Sequence, residues 1–152
     1  MVIPPALAAW ADWIVESLHR DFEFPYCAVL VPAAERRALR LVGQRPGSRE
    51  DAAAPSADAL VPVDRSVSGA VLLAGTPTMI ADVREVDDYA AIHGTAIRSE
   101  LAVPILLDGR VIGVIDVESP RVAAFDIADL HHVVARAAEA ARIAPVDELE
   151  ID

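Results

Sequence analysis

Two acids interrupt one of the most apolar stretches of the chain. Asp116 and Glu118 stand two residues apart in RVIGVIDVES, residues 110–119. In a strand, residues two apart share a face, so the pair joins the face of Ile112 and Val114. Glu100, which opens ELAVPILL, shares strand parity with Ala102 and Pro104. Acids at the end of an apolar strand are costly if buried unpaired. They need solvent, an arginine such as Arg98 or Arg121, or a cationic ligand. Upstream lies the polar stretch DVREVDDYAAIHGTAIR, residues 82–98. Its one histidine, His93, could line a pocket with Tyr89 and Arg98. A haem would require a committed axial ligand. His93 offers an imidazole, and nothing else in the sequence favours haem.

The remaining candidates offer less chemistry. Cys27 is the single cysteine, so neither an intramolecular disulfide nor a multi-cysteine zinc site can form. It shares a strand face with Val29 and Val31 and reads as a packed core thiol, not a bilin or redox centre. His131 and His132 are adjacent on a helix and point about 100° apart, which is not the i,i+4 spacing of a ligand pair. No Gly-rich phosphate loop is present, and no catalytic triad follows from spacing.

The chain has 152 residues, 54% of them hydrophobic, enough for one domain with its own core. Its 13 basic residues are all arginine, against 24 acids, for a formal net charge of −11. An acidic chain without lysine lacks the basic face that nucleic acid or an anionic membrane requires. It also lacks a Schiff-base or P-loop lysine. No signal peptide or long apolar span is visible, so the expected location is the cytoplasm.

The elements that would position the acids can be read in order. Leu7, Trp10, Ala11, Ile14 and Leu18 form a helical stripe over residues 5–20. Trp13 lies off that stripe. Residues 26–31 and 38–42 read as a hairpin, followed by a mobile loop over 43–58. Leu60–Val63 reads as a strand, and a short helix is expected from Ser66 to Ala74, capped by Ser66 and ended by Gly75. A brief strand covers Thr78–Ile80. Asp108-Gly109 between apolar runs predicts a hairpin of 101–107 with 110–117. The last helix is expected from Ile127 to about Ile143, with Asp126 as N-cap, Asp129 at N3 and a Phe125–Leu130 staple. Its predicted buried stripe is Ile127, Leu130, Val134, Ala138 and Ala141, with His131 at its flank and His132 facing away. The fold class is therefore α+β: an antiparallel sheet with terminal helices on one face and residues 82–98 roofing a pocket on the other. A single domain is expected over 1–145, followed by a frayed acidic tail over 146–152.

The stretches SVSGAVLLAGTPTMIADV, DDYAAI, SELAVPILLDGRVIGVIDVESP and AFDIADLHHVVARAAEAA, in this order, resemble the GAF domain, a small-molecule sensory module. Gly69 is expected to let the short helix approach the sheet, Gly75 to supply a positive φ, Gly113 to admit a neighbouring backbone or a ligand, and Pro104 to mark an edge or bulge. SELAVPI and GVIDVES also resemble the free methionine-(R)-sulfoxide reductase branch of that family. Its chemistry needs thiols, and its three cysteines correspond here to Ser68, a position near His93 and one near Asp58. None is cysteine, and a hydroxyl cannot replace a thiolate reductant. The resemblance implies that Glu100, Asp116 and Glu118 are retained where that branch holds the ammonium and polar groups of its substrate.

The expected function is thus a non-enzymatic, stand-alone sensory or regulatory domain. It would bind a small cationic or zwitterionic molecule through Glu100, Asp116, Glu118, Tyr89, His93 and Ser68, with no cofactor identified. A homodimer is expected through the first and last helices. Two alternatives stay open: a divergent reductase using Cys27 alone, and a ligand-free dimerisation scaffold whose pocket is filled by its own side chains.

Overall fold

A computed structural model describes residues 2–47, 50–51, 54–56, 58–89 and 91–149. Helix α1 spans Pro5–Phe22. Strands β1 (Tyr26–Ala33) and β2 (Ala38–Arg45) form the first hairpin. Then come β3 (Leu60–Pro62), helix α2 (Val67–Ala74) and β4 (Thr78–Ile80). The second hairpin is β5 (Ser99–Leu107) with β6 (Arg110–Ser119), and α3 (Ile127–Arg142) follows. Among the described residues the strands form one antiparallel sheet in the order β3-β2-β1-β6-β5-β4.

The β5–β6 turn is set locally. Asp108 and Gly109 both have positive φ, 53° and 80°, as a two-residue hairpin turn requires. Pro104 lies beyond the residues that β4 pairs with, 100–102. That sheet edge is open there, so the missing N–H of proline costs little.

The sheet has two apolar faces. On one, α1 and α3 pack over Cys27, Val29, Val31, Leu101, Val103, Ile105, Ile115 and Val117. On the other, Val71 and Leu72 of α2 pack over Ala28, Leu30, Leu39, Leu41, Ala102 and Val114. Gly113 sits under α1: a Cβ there would lie 3.1 Å from Leu30 O and 3.7 Å from the Trp10 ring. It admits a neighbouring backbone and side chain.

Several expectations need correction. Ile112 does not share a face with Val114. A register shift opposite Ile105/Leu106 puts Ile112 with the α1 side while Val111 and Val114 face α2. Gly69 gives clearance to the turn before α2, not to the sheet, because a Cβ there would meet Val63 O at 2.0 Å. The buried stripe of α3 is Val133, Arg136, Ala137, Ala140 and Ala141, whereas Ile127 (64%) and Val134 (41%) are exposed. Ala138 is also exposed. The helix is turned so that Arg136 can reach Ser17 and Asp21 of α1. His132 is exposed, as expected, yet its ring stacks on Phe22 of α1, ring centroids 4.3 Å apart. Trp13 packs against the core and lies 5.7 Å from the Arg136 guanidinium.

The stretch read as a loop over 43–58 begins as strand: β2 continues to Arg45, Gly43 packs on Ala11, and Ala54 is buried. Residues 48, 49, 52, 53 and 57 lie outside the described set. The tail is docked where it is described. Glu148 Oε1 accepts from Ala6 N–H (3.2 Å) and Leu7 N–H (3.5 Å), orphan donors of the α1 N-terminus. Residues 150–152 are not described.

Candidate functional site

The α2 face of the sheet is apolar except at one end. There β5 delivers Glu100 and β6 delivers Asp116 and Glu118. Antiparallel register sets Glu100 opposite Glu118 and Asp116 opposite Ala102. Glu100 and Asp116 are therefore diagonal neighbours on one face, within side-chain reach. Carboxylate oxygens of all three lie within 4.8 Å of one another. None is solvated: Glu100 is 2% exposed, Asp116 and Glu118 0%.

The roof is a segment without regular periodicity. After β4 it makes one short 3-10 turn, Val83–Glu85, capped by Asp82. Ile97 is its buried apolar anchor, and Arg98 N–H donates to Ser119 O. Between these points the chain bends over the acids. Glu118 accepts from the backbone N–H of Ile92 (2.9 Å) and of His93 (2.7 Å), and from Tyr89 OH (3.4 Å). His93 Nδ1 lies 2.9 Å from Glu118 Oε1. A carboxylate can only accept, so that geometry assigns a ring proton to Nδ1. Tyr89 OH also donates to Glu100.

Helix α2 contributes the last contact. Its first turn is fixed by Ser66, whose Oγ accepts from Gly69 N–H at 3.0 Å. Ser68, one residue into the helix after Val67, then points at the sheet, and its hydroxyl donates to Asp116 Oδ2 at 2.9 Å. Asp116 Oδ1 is buried and has no hydrogen-bond donor, and His93 Nε2 is likewise unpartnered. The six residues singled out from the sequence thus meet at one place. His93 is 2% exposed, not on an open loop. Tyr26, which sequence reasoning did not single out, brings its ring within 5.2 Å of the His93 ring from β1.

Neither arginine considered as a counter-ion reaches the acids. Arg98 donates to the carbonyls of Thr95 and Ile97, and Arg121 is exposed. Among the described residues, only His93 is a basic partner within ion-pair distance of the three. The titration of the group follows. Burial, then the neighbouring Asp116 and Glu118 charges, pushes Glu100 well above the usual carboxylate range. Burial, together with the Glu118 charge, raises Asp116 to about 7, against the pull of the neighbouring Glu100 carboxyl and the Ser68 hydroxyl. Burial and the adjacent acids also raise the Tyr89 phenol. Two open clefts flank Tyr89, one lined by Arg65, Ser66, Val67 and Ala70, the other by Val83, Gly94, Thr95 and Arg98. The tyrosine ring stands between solvent and the acids.

Cys27 is on the other side of the sheet. Its strand neighbour Ala28 faces α2 opposite Asp116, while Cys27 pairs with Val117 under α1. Burial pushes its thiol up to about 12.

The GAF domain family model matches residues 7–144. Protein YtsP of Bacillus subtilis (strain 168) is 35% identical over 69 residues, 45% of this chain and 42% of that protein, so the match spans about two fifths of the relative's length. The type II free methionine-R-sulfoxide reductase from Thermoplasma acidophilum superposes with a TM-score of 0.80 at 18% identity, covering 100% of this chain and 99% of that one. The GAF domain from an Acinetobacter phosphoenolpyruvate-protein phosphotransferase gives 0.77 at 16% identity, over 92% and 82% of the two chains. The free methionine-R-sulfoxide reductase from Neisseria meningitidis, solved with its substrate, gives 0.73 at 23% identity, over 93% and 81%. At these identities the solved structures speak to fold, and they include both reductases and a GAF domain of a phosphotransferase. With the family model spanning both hairpins, the roof, α2, α3 and all but the first two residues of α1, the chain belongs to the GAF domain family.

Proposed function

We propose that this GAF domain binds a small cationic or zwitterionic molecule on Glu100, Asp116 and Glu118, and that it acts by binding, without catalysis. One observation carries the reading: three buried carboxylates, unmatched by any arginine among the described residues, with Asp116 Oδ1 lacking a donor. An ammonium or guanidinium group would supply both charge and N–H donors. It would take the place of the Tyr89 hydroxyl, and the roof would re-form around it. A cyclic nucleotide would bring a phosphate against the acids and be repelled.

Two features weigh against thiol chemistry at this site. The resemblance to the reductase branch implies that Ser68 and a position near His93 stand where that branch carries cysteine, and Cys27 faces the opposite layer. A thermal-shift panel of amino acids, methionine sulfoxide and alkyl amines against cyclic AMP and cyclic GMP tests the reading. A binder at a hundredfold excess over its Kd stabilises by about 2.7 kcal/mol. Stabilisation by an amine or amino acid, lost in Asp116→Asn, is expected. Stabilisation by cyclic nucleotides alone would refute it. Thiol-dependent turnover of free methionine sulfoxide, lost in Cys27→Ser, would make the protein a reductase instead.

The closed cluster favours one second reading. Tyr89 and His93 already fill the space over the acids, as in a scaffold that needs no ligand. A panel in which nothing stabilises the protein, with a dimer seen by light scattering, would support that reading.

A further inference from the structure

Three ionised carboxylates within 4.8 Å of one another cannot share a dry interior at neutral pH without compensation. The groups that face them can be named element by element. Strand β5 supplies Glu100; β6 supplies Asp116 and Glu118. The roof supplies Tyr89 and His93, and α2 supplies only the Ser68 hydroxyl. From β1 come the Tyr26 ring, against His93, and Ala28, across from Asp116. Glu118 takes the donors: two backbone N–H groups, the His93 ring and, more distantly, Tyr89. Glu100 and Asp116 are left with one hydroxyl each and face one another diagonally across the hairpin.

A second observation is independent of the carboxylates' number. Asp116 Oδ1 is fully buried and lacks a donor, and His93, also buried and held against Glu118, has a bare Nε2. Glu100, which has a carboxylate oxygen within 4.8 Å of one of Asp116, supplies the missing donor when it is protonated.

We infer that the roof closes over a shared proton: Glu100 donates it to Asp116 while Tyr89, Ile92 and His93 are seated on the acids, and its loss to solvent loosens the roof and frees the three carboxylates for a cation. The raised affinity of both groups for protons supports this. The roof is the part that yields, because its hold on the acids is through Tyr89, Ile92 and His93, whereas β5 and β6 are paired along their length. The inference rests on reading the cluster as a cation site, but its test needs no ligand.

The test is hydrogen exchange of the full chain from about pH 5.5 to about pH 8.5, with rates corrected for intrinsic chemistry. Peptides covering 83–98 should lose protection by about tenfold for each pH unit above the transition, since one proton is released. Peptides of α3 should stay protected. In Glu100→Gln the amide donates to Asp116 without titrating, so the roof profile should flatten. Asp116→Asn removes the same proton from the other side and should flatten it too. A flat wild-type profile overturns the inference, and so does a pH dependence that persists in both variants. If neither variant folds, a flat wild-type profile still overturns the inference, and so does a slope that vanishes in His93→Asn, whose amide can donate to Glu118 without titrating. Failure of every amine in the thermal-shift panel would sink the binding reading and leave this result standing.

Discussion

At the scale of single residues, the chemistry of this protein is governed by which groups are denied water. Cys27 has no exposed surface, and its thiol is pushed up to about 12. Thiolate is the reactive form, so Cys27 should resist iodoacetamide in the native protein at pH 8. One thiol per chain should react once guanidinium unfolds it, and rapid native labelling would contradict the packing. Gly69 shows denial of a different kind. A Cβ at that position would lie 2.0 Å from Val63 O and 2.5 Å from Val63 Cα, backbone that cannot step aside. Gly69→Ala should therefore cost about 1–3 kcal/mol or more by overpacking, visible as a fall in the denaturant midpoint at unchanged m-value. Because Gly69 follows Ser68, the shift would also move the hydroxyl that serves Asp116.

At the scale of elements, what could be read from sequence is what is decided locally. The Asp126/Asp129 capping box and the Asp108-Gly109 turn are settled within four residues, and both form as expected. Ser66 is similar: its Oγ accepts from Gly69 N–H and donates to Pro62 O at 2.7 Å. Ser66→Ala should cost about 1 kcal/mol by loss of the cap, measured by equilibrium unfolding, and a neutral result would show the cap to be idle. Features set by distant partners were not legible. Arg136 is polar by type, yet it is buried between α1 and α3 because Ser17 and Asp21 meet it. That contact turns the apolar stripe of α3 by about one residue. Glu148 caps α1 from 142 positions away. The site divides in the same way. Period-two spacing gave Asp116 and Glu118 a common face, but one bulge moved Ile112 off it. The backbone donors of Ile92 and His93 come from a segment with no periodicity to read.

At the scale of the whole molecule, the acid excess acts in two ways that point in opposite directions along the pH axis. Asp21, Asp82 and Asp126 hold their protons less tightly than usual because hydrogen bonds favour the carboxylate, with Asp82 at about 2. Their contribution is present at neutral pH and is lost as pH falls below about 4. Glu100 and Asp116 are shifted the other way by burial. Between about pH 4 and about pH 7 the folded state holds more protons than the unfolded chain, so stability falls as pH rises through that window. Thermal stability should therefore peak at about pH 4, where the two limbs meet. General self-repulsion at a net charge of −11 would also weaken the fold on the alkaline side, but salt separates the two causes. At 1 M salt the Debye length is about 3 Å, which screens exposed charges and leaves buried ones little affected. Thermal unfolding from about pH 4.5 to about pH 8 should thus keep its downward slope in 1 M sodium chloride, and lose most of it in Asp116→Asn. A slope that disappears in salt and is unchanged by the substitution would move the origin of the effect from the buried cluster to the surface.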